Sequence, residues 1–193
     1  MKKEDKRTRK TIKAIQDALL KLLAEKSLSA IKIIELCAQA DINRTTFYLH
    51  FENTGDVLRS IREEIVESIF AKYSDVSFLY TFEHPLGFLT ACTETISSYE
   101  GFERFVRVSA EASEFLDALK AAFTARVYAE YKNVNPLCDE YAFFIIDFIT
   151  AGTFDTYIVW LRSEKTVSLS SLFDHCGKIF AAGHEALTAG KER

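Results

Sequence analysis

The sequence predicts an all-α protein in which a small N-terminal three-helix domain is followed by a larger helical bundle. Residues that break helices are scarce, since 193 residues include only two prolines and seven glycines. Apolar residues make up 48% of the chain. They recur at helical spacing in long stretches, first in Ile12, Ile15, Leu19, Leu22 and Leu23. We predict a domain of residues 1–53 and a second domain of residues 54–193.

The first domain has the local signals of three helices. Apolar spacing predicts a helix over 8–25 and a second over 32–39. Asp41 stands in the turn between the second and third helices, where a left-handed residue fits, and Asp adopts that conformation more readily than most residues. Asn43 is a favoured N-cap for the third helix. Two short helices joined by a tight turn are typical of a helix-turn-helix, whose second helix enters the DNA major groove.

The third helix carries hydrogen-bonding side chains that suit this role. Arg44 can bind guanine O6 and N7 together, and Thr45 and Thr46 each offer a hydroxyl and a methyl group to base edges. A hydroxyl such as that of Tyr48 can reach phosphate. Phe47 is expected to pack inward instead. The stretch therefore indicates recognition of double-stranded DNA and not the transformation of a substrate.

The rest of the chain is predicted to form a series of helices. Asn53 or Thr54 can cap the next helix, which should run to about residue 73. Residues 74–84 are expected to form a connection, and Pro85 fits the first turn of the following helix. Further helices are expected over 102–109, 113–132, 137–162 and 168–187.

Charge is distributed unevenly along the chain. Residues 1–60 hold 12 Lys and Arg against 8 Asp and Glu, whereas residues 61–193 hold 12 against 20. A basic head on an acidic body suits DNA binding. The first 13 residues include seven Lys and Arg and two acidic residues. They could form a solvated, partly disordered tail or an arm that contacts phosphates.

Several classes of function lack the residues they need. The four cysteines, Cys37, Cys92, Cys138 and Cys176, form no CxxC pair and have no histidines at zinc-ligand spacing, so we expect reduced, buried thiols and no metal. Glycine-rich phosphate loops and nucleophile elbows are absent, which argues against an enzyme and indicates no cofactor. Glu111 and Glu114, near Arg107, are expected on a solvated helix face. No apolar run is expected to span a membrane, and the charged N-terminus lacks a signal core, so we expect a cytoplasmic protein.

The helix-turn-helix resembles that of the TetR family of bacterial transcriptional regulators. The resemblance rests on residues 31–51, on Asp56-Val57-Leu58, and most specifically on the Thr-Phe-Tyr-x-His-Phe core at 46–51. It covers about residues 8–65 and is architectural beyond them. It implies base contacts from Arg44, Thr45 and Thr46 and phosphate contacts from Tyr48 and His50. Asn43, which caps this helix, is also expected at the DNA interface.

Two positions depart from the family pattern. The family usually has Thr at position 32 and Lys at position 54, whereas this chain has Lys32 and Thr54. Lys32 cannot cap a helix but can meet phosphate as a point charge. Thr54 and the helix N-terminus can still donate hydrogen bonds to phosphate. The absence of one cationic contact should weaken binding to all sequences alike.

The resemblance also implies that the body binds a small-molecule effector and forms a homodimer through its last two long helices. Most aromatic residues there should simply be core. Candidates for the effector pocket are Phe102, Phe105, Tyr128, Phe148 and Tyr157. Candidates for the dimer interface are Phe148, Ile149, Tyr157, Trp160, Phe173 and Phe180.

Three functions are compatible with the sequence. The first is a ligand-responsive repressor that binds palindromic operator DNA as a homodimer. The second is a TetR-like protein with weakened DNA binding that acts as an adaptor or coactivator through a protein partner, supported by the absence of the family lysine at position 54. The third, a helical enzyme or carrier, rests only on the apolar body.

Overall fold

A computed structural model of the protein describes residues 3–72, 85–134 and 141–178, and every regular element in these ranges is helical. The predicted all-α class is therefore confirmed. The elements are α1 Lys3–Leu23, a 3-10 turn Leu28–Ala30, α2 Ile33–Gln39, α3 Arg44–Tyr48, α4 Thr54–Ala71, α5 Pro85–Ser97, α6 Phe102–Val108, α7 Ala112–Val134 and α8 Ala142–Arg162. A last helix, α9, covers 169–178.

Helix ends in the N-terminal region follow the predicted local signals. Asp41 has the left-handed φ of 53° expected of the turn residue between α2 and α3. The Asn43 side chain accepts a hydrogen bond from the Thr46 amide at 2.8 Å and caps α3. Asn53 accepts in the same way from the Asp56 amide at 2.9 Å, so Asn53 is the residue that caps α4.

Some helix limits differ from those predicted. Helix α1 begins at Lys3 and not near residue 8, because the charged residues ahead of the apolar stripe include good helix formers. The predicted connection at 74–84 and the predicted last helix beyond residue 178 lie outside the described residues. So does the predicted start of α8 between 137 and 140.

Atom contacts divide the chain into two compact units, the first made of residues 1–67 and 95–121. In this unit α1 packs against both α2 and α6. Phe102, Phe105 and Phe115 form a buried aromatic cluster with ring centroids 5.4–6.1 Å apart. The turn at Gly101 lies so close to α1 that an added Cβ would stand 3.3 Å from the Lys21 side chain, and its φ of 89° also requires glycine.

Polar side chains link the N-terminal helices α1–α3, called the head below, to the later part of the same unit. The Asp17 carboxylate on α1 accepts a hydrogen bond from the Glu100 amide at 2.9 Å, and Lys21 pairs with the Glu100 carboxylate at 2.7 Å. Glu111 accepts from the Leu28 amide at 2.7 Å. Glu111 was expected on a solvated face, and this was wrong, because its carboxylate satisfies a backbone donor in the 3-10 turn.

A buried glutamine adds a further link between α1 and α4. Gln16 is fully buried, and its amide nitrogen donates to Ser60 at 3.2 Å and to Glu64 at 2.8 Å. Burial, followed by the neighbouring Glu64 carboxylate, raises the pKa of Tyr99, so this hydroxyl stays protonated. Buried polar groups that are hydrogen-bonded in this way fix one arrangement of the helices.

The second unit contains residues 68–94 and 122–193. Phe70 packs on Phe123 with ring centroids 5.2 Å apart, and the Arg126 guanidinium lies over Phe70 at 5.1 Å. Lys72 pairs with Glu94 at 3.0 Å. The buried faces of α8 and α9 add to this core with Ala142, Ile146, Thr150, Tyr157, Ile158, Leu161 and Phe173.

Two of the cysteines are the buried thiols that the sequence predicts. Cys37 and Cys92 are buried, and burial raises the pKa of Cys92 to about 12. Burial also raises the pKa of Cys37, although the nearby Arg44 acts in the opposite direction. Cys176 is half-buried and free, and Cys138 lies outside the described residues. Cys37 and Cys92 therefore remain neutral thiols near pH 7.

Helix α8 is strongly apolar, as its sequence pattern predicts. Its 21 residues are long and apolar enough to cross a membrane, and only 28% of the most apolar stretch is buried. Asp147 and Asp155 interrupt the helix before Arg162, and the expectation that no apolar run spans a membrane stays a prediction. One such helix is weak evidence for a membrane span, since helices buried in protein interiors pass the same test.

Candidate nucleic-acid interface

Helix α3 turns its polar side chains outward from the small core of the head. Phe47 is fully buried, its ring lies 6.0 Å from the Phe51 ring, and α3 packs against α2. At 3.6 residues per turn, Thr45 lies on the opposite side of the helix from Phe47. Arg44, Thr45 and Tyr48 are exposed, and Thr46 is half-buried. The three exposed side chains are therefore available to a duplex groove.

Arg44 and Tyr48 form a pair one helical turn apart. The Arg44 guanidinium lies 5.9 Å from the centre of the Tyr48 ring. Its interaction with the Tyr48 side chain raises the pKa of Arg44, which is cationic in any case. Both side chains are exposed, so the pair lies on the outer surface of α3.

The other predicted contacts surround α3. Lys32 is exposed at the N-cap of α2 and makes no side-chain cap hydrogen bond, as expected of lysine. His50 is half-buried just after α3, and Thr54 is half-buried at the first position of α4. Their contacts to phosphate remain predictions. Among the described residues, no group of His, Cys, Asp or Glu could hold a metal ion.

Asn43 has a structural role in addition to its predicted place at the interface. Its capping bond is the side-chain support for a helix of only five residues. We expect Asn43→Ala to lower stability by about 1 kcal/mol, which for a chain of this size lowers Tm by about 2–4 °C. Thermal unfolding followed by circular dichroism measures this. Thr45→Ala is the matched control because Thr45 is exposed and makes no cap, and equal Tm values for both variants would contradict the capping role.

The helix-turn-helix itself is poor in positive charge. Between residues 31 and 56 there are two cations, Lys32 and Arg44, and four carboxylates, those of Glu35, Asp41, Glu52 and Asp56. Lys26 pairs with Glu35, and Arg59 pairs with Asp56 at 3.2 Å. Besides Lys32 and Arg44, four exposed cations lie on the first turns of α1, in Lys6, Arg7, Arg9 and Lys10. A phosphate-binding surface would therefore have to include α1.

The candidates for an effector pocket fall into two groups. Phe102 and Phe105 are fully buried in the first unit, where they pack on each other and on Phe115. Tyr128, Phe148 and Tyr157 belong to the second unit. The Tyr128 ring meets Phe143 edge-on at 5.3 Å. The five aromatic candidates are therefore divided between the two units and do not line one pocket within either of them.

The candidates for a dimer interface differ in exposure. Phe148 is 75% exposed, Ile149 and Trp160 are half-buried, and Tyr157 and Phe173 are buried within the chain. Phe180 lies outside the described residues. Sequence reasoning missed the exposed apolar side chains that share the outward face of α8 with Phe148. The sequence pattern that could have revealed this face is the helical spacing of large apolar residues, at Tyr141, Phe144, Ile145, Phe148 and Val159.

These features define an all-α protein with a helix-turn-helix head. Its fold is similar to that of a TetR transcriptional regulator from Streptococcus agalactiae 2603V, whose crystal structure superposes with a TM-score of 0.57 at 21% sequence identity. The match covers 92% of this chain and 97% of that chain. The chain therefore has the fold of a TetR regulator, and the predicted resemblance is confirmed at that level. Neither the family models nor the curated proteins compared with the chain give a match.

Proposed function

We propose that the protein is a transcriptional regulator of the TetR type that binds palindromic operator DNA and represses transcription in the cytoplasm. The observation that carries the proposal is the outward face of α3. Arg44, Thr45 and Tyr48 are exposed there while Phe47 anchors the helix from behind. Such a helix is suited to enter the major groove and contact base edges.

A homodimer is the second part of the proposal. A single helix of five residues contacts too few base pairs for specificity, so two heads on two half-sites are required. The exposed apolar face of α8, with Phe144 69% and Phe148 75% exposed, supports an isologous interface. Covering this face with the α8 helix of a second copy would also account for a helix that is apolar on both sides.

Response to a small-molecule effector is the third part. It is supported by a buried hydroxyl in the second unit. Thr124 is 3% exposed, and among the described residues its hydroxyl oxygen has no hydrogen-bond partner. Thr124 precedes Tyr128 by one turn of α7, so both side chains lie on one face of that helix. A ligand with an aromatic body and one polar group would suit such a position.

The proposal is tested by selecting bound duplexes from a random pool with the full chain. Enrichment of an inverted repeat, bound with a site-specific affinity that falls with added salt, is the expected result. Binding that is equally weak for all duplexes would contradict it. Titration of candidate effectors against the resulting complex then tests the response, because an effector must bind the DNA-free state more tightly to release the operator.

The N-terminal turns of α1 should supply much of the electrostatic affinity. We expect the double variant Arg7→Gln, Lys10→Gln to bind all duplexes more weakly. It should also reduce the slope of log affinity against log salt by about 0.9 for each phosphate that is no longer neutralised. Fluorescence anisotropy at several salt concentrations measures both quantities. Removing two exposed charges from the second unit, in Lys132→Gln, Lys178→Gln, is the matched control and should leave the slope unchanged. An unchanged slope in the α1 variant would exclude the arm from the interface.

An adaptor or coactivator that acts through a protein partner is the second candidate. The observation in its favour is the excess of carboxylates over cations between residues 31 and 56. This candidate predicts weak DNA binding without site preference. The selection experiment therefore separates the two functions.

A further inference from the structure

Leu49 is an apolar side chain at the C-terminal end of the polar outward face of α3. It is 76% exposed, the most exposed of the large apolar residues that the structure describes. Leu49 is the C-cap of α3 and keeps helical backbone angles, with φ of −71° and ψ of −19°. Its amide donates to the Thr45 carbonyl at 3.2 Å. Leu49 therefore stands one helical turn beyond Thr45 on the same face.

The position of Leu49 relative to Phe47 decides where its side chain is presented. Residues 45 and 49 both lie close to the side opposite residue 47 at 3.6 residues per turn. Phe47 is fully buried, and Phe51 supplies the next inward contact. Leu49 is thus not required by the core of the head, and it adjoins the exposed face that Arg44, Thr45 and Tyr48 share.

We propose that Leu49 contacts the 5-methyl group of a thymine in the major groove and so sets a sequence preference in each half-site. This inference rests on the proposed DNA-binding function. The thymine methyl is the one apolar group that a base pair presents in the major groove, and apolar side chains recognise it there. Arg44 supplies hydrogen-bond donors at the start of α3, and Leu49 supplies apolar surface at its end. Arg44 would then recognise a guanine at one position of the half-site, and Leu49 a thymine at another.

Replacement of thymine by deoxyuridine in the selected operator tests this directly. Deoxyuridine keeps the base pairing and hydrogen-bonding edges of thymine and lacks only the methyl group. We expect one such replacement, made in one half-site only, to weaken binding of the full-length protein by about fourfold, the ratio that corresponds to one buried methyl group. In Leu49→Ala the thymine and deoxyuridine operators should be bound equally.

Ile34→Ala is the matched control, because Ile34 is 63% exposed and lies on α2 and not on the recognition helix. This variant should retain the fourfold preference for thymine. Equal binding of the two operators by the wild-type protein, or an unchanged preference in Leu49→Ala, overturns the role of Leu49 while the DNA-binding function stands. If the selection enriches no site at all, both fail, and Leu49 is then part of a surface for a protein partner.

Discussion

Arg44→Ala is expected to weaken binding to the operator by about 1–3 kcal/mol and to relax the preference at one base position in each half-site. Arg44 is exposed at the first position of α3, and its guanidinium lies 5.9 Å from the centre of the Tyr48 ring one turn later. A bidentate contact from guanidinium to guanine is worth this much in discrimination against other bases. Competition between the selected operator and its single-base variants measures both effects.

Lys32→Ala serves as the control for Arg44→Ala. Lys32 is exposed at the N-cap of α2 and can meet phosphate only as a point charge. Its removal should weaken binding to operator and random DNA equally. If Arg44→Ala behaves as Lys32→Ala does, Arg44 contacts the backbone and does not read a base.

Phe148→Glu is expected to convert the dimer to a monomer at micromolar concentration. Phe148 is 75% exposed in the single chain, so the substitution should leave the fold intact. Within an interface it would place a carboxylate against apolar side chains without a partner, which costs several kcal/mol. Sedimentation velocity measures the outcome. Leu49→Glu, made at an equally exposed leucine in the head, should remain dimeric. A wild-type protein that sediments as a monomer would contradict the proposed interface.

Gly152→Ala is expected to stabilise the single chain but to weaken the dimer. Gly152 follows Phe148 by one turn of α8, and nothing in the described part of the chain lies within 4 Å of the position of an added Cβ. Within a single chain, Gly152→Ala should therefore stabilise α8 by roughly 0.5–1 kcal/mol. If two α8 helices approach closely at this glycine, the same methyl group separates them and raises the dissociation constant. We expect weaker dimerisation together with unchanged or higher monomer stability.

The elements of the head could be predicted because their signals are local. Asp41, Asn43 and Asn53 act on backbone groups within three residues, and the structure has each of them in the expected conformation or capping bond. The start of α1 was predicted five residues too late. Apolar spacing marks the part of a helix that is buried, and the turns before Thr8 have no apolar stripe to mark them.

The contacts of Glu111 and the exposure of Leu49 and Phe148 could not be predicted by the same reasoning. The bond from the Leu28 amide to Glu111 joins residues 83 positions apart, and no local pattern encodes it. Phe148 was a candidate for two different sites because periodicity identifies an apolar helix but not which of its faces the chain itself covers. Leu49 is apolar and was not among the polar residues that predicted a recognition helix. Its exposure is visible only in the folded structure.

The polar bonds around α1 determine what can be transplanted from this protein. Asp17 and Lys21 hold the backbone and side chain of Glu100, Gly101 lies against α1, and Glu111 satisfies the turn before α2. A fragment of residues 1–53 would be separated from these partners and from Phe102 and Phe105. A chimera that is meant to carry the operator specificity to another body should therefore include residues 95–121 with the head. The compact unit that contains the helix-turn-helix is built from two separate segments of the sequence.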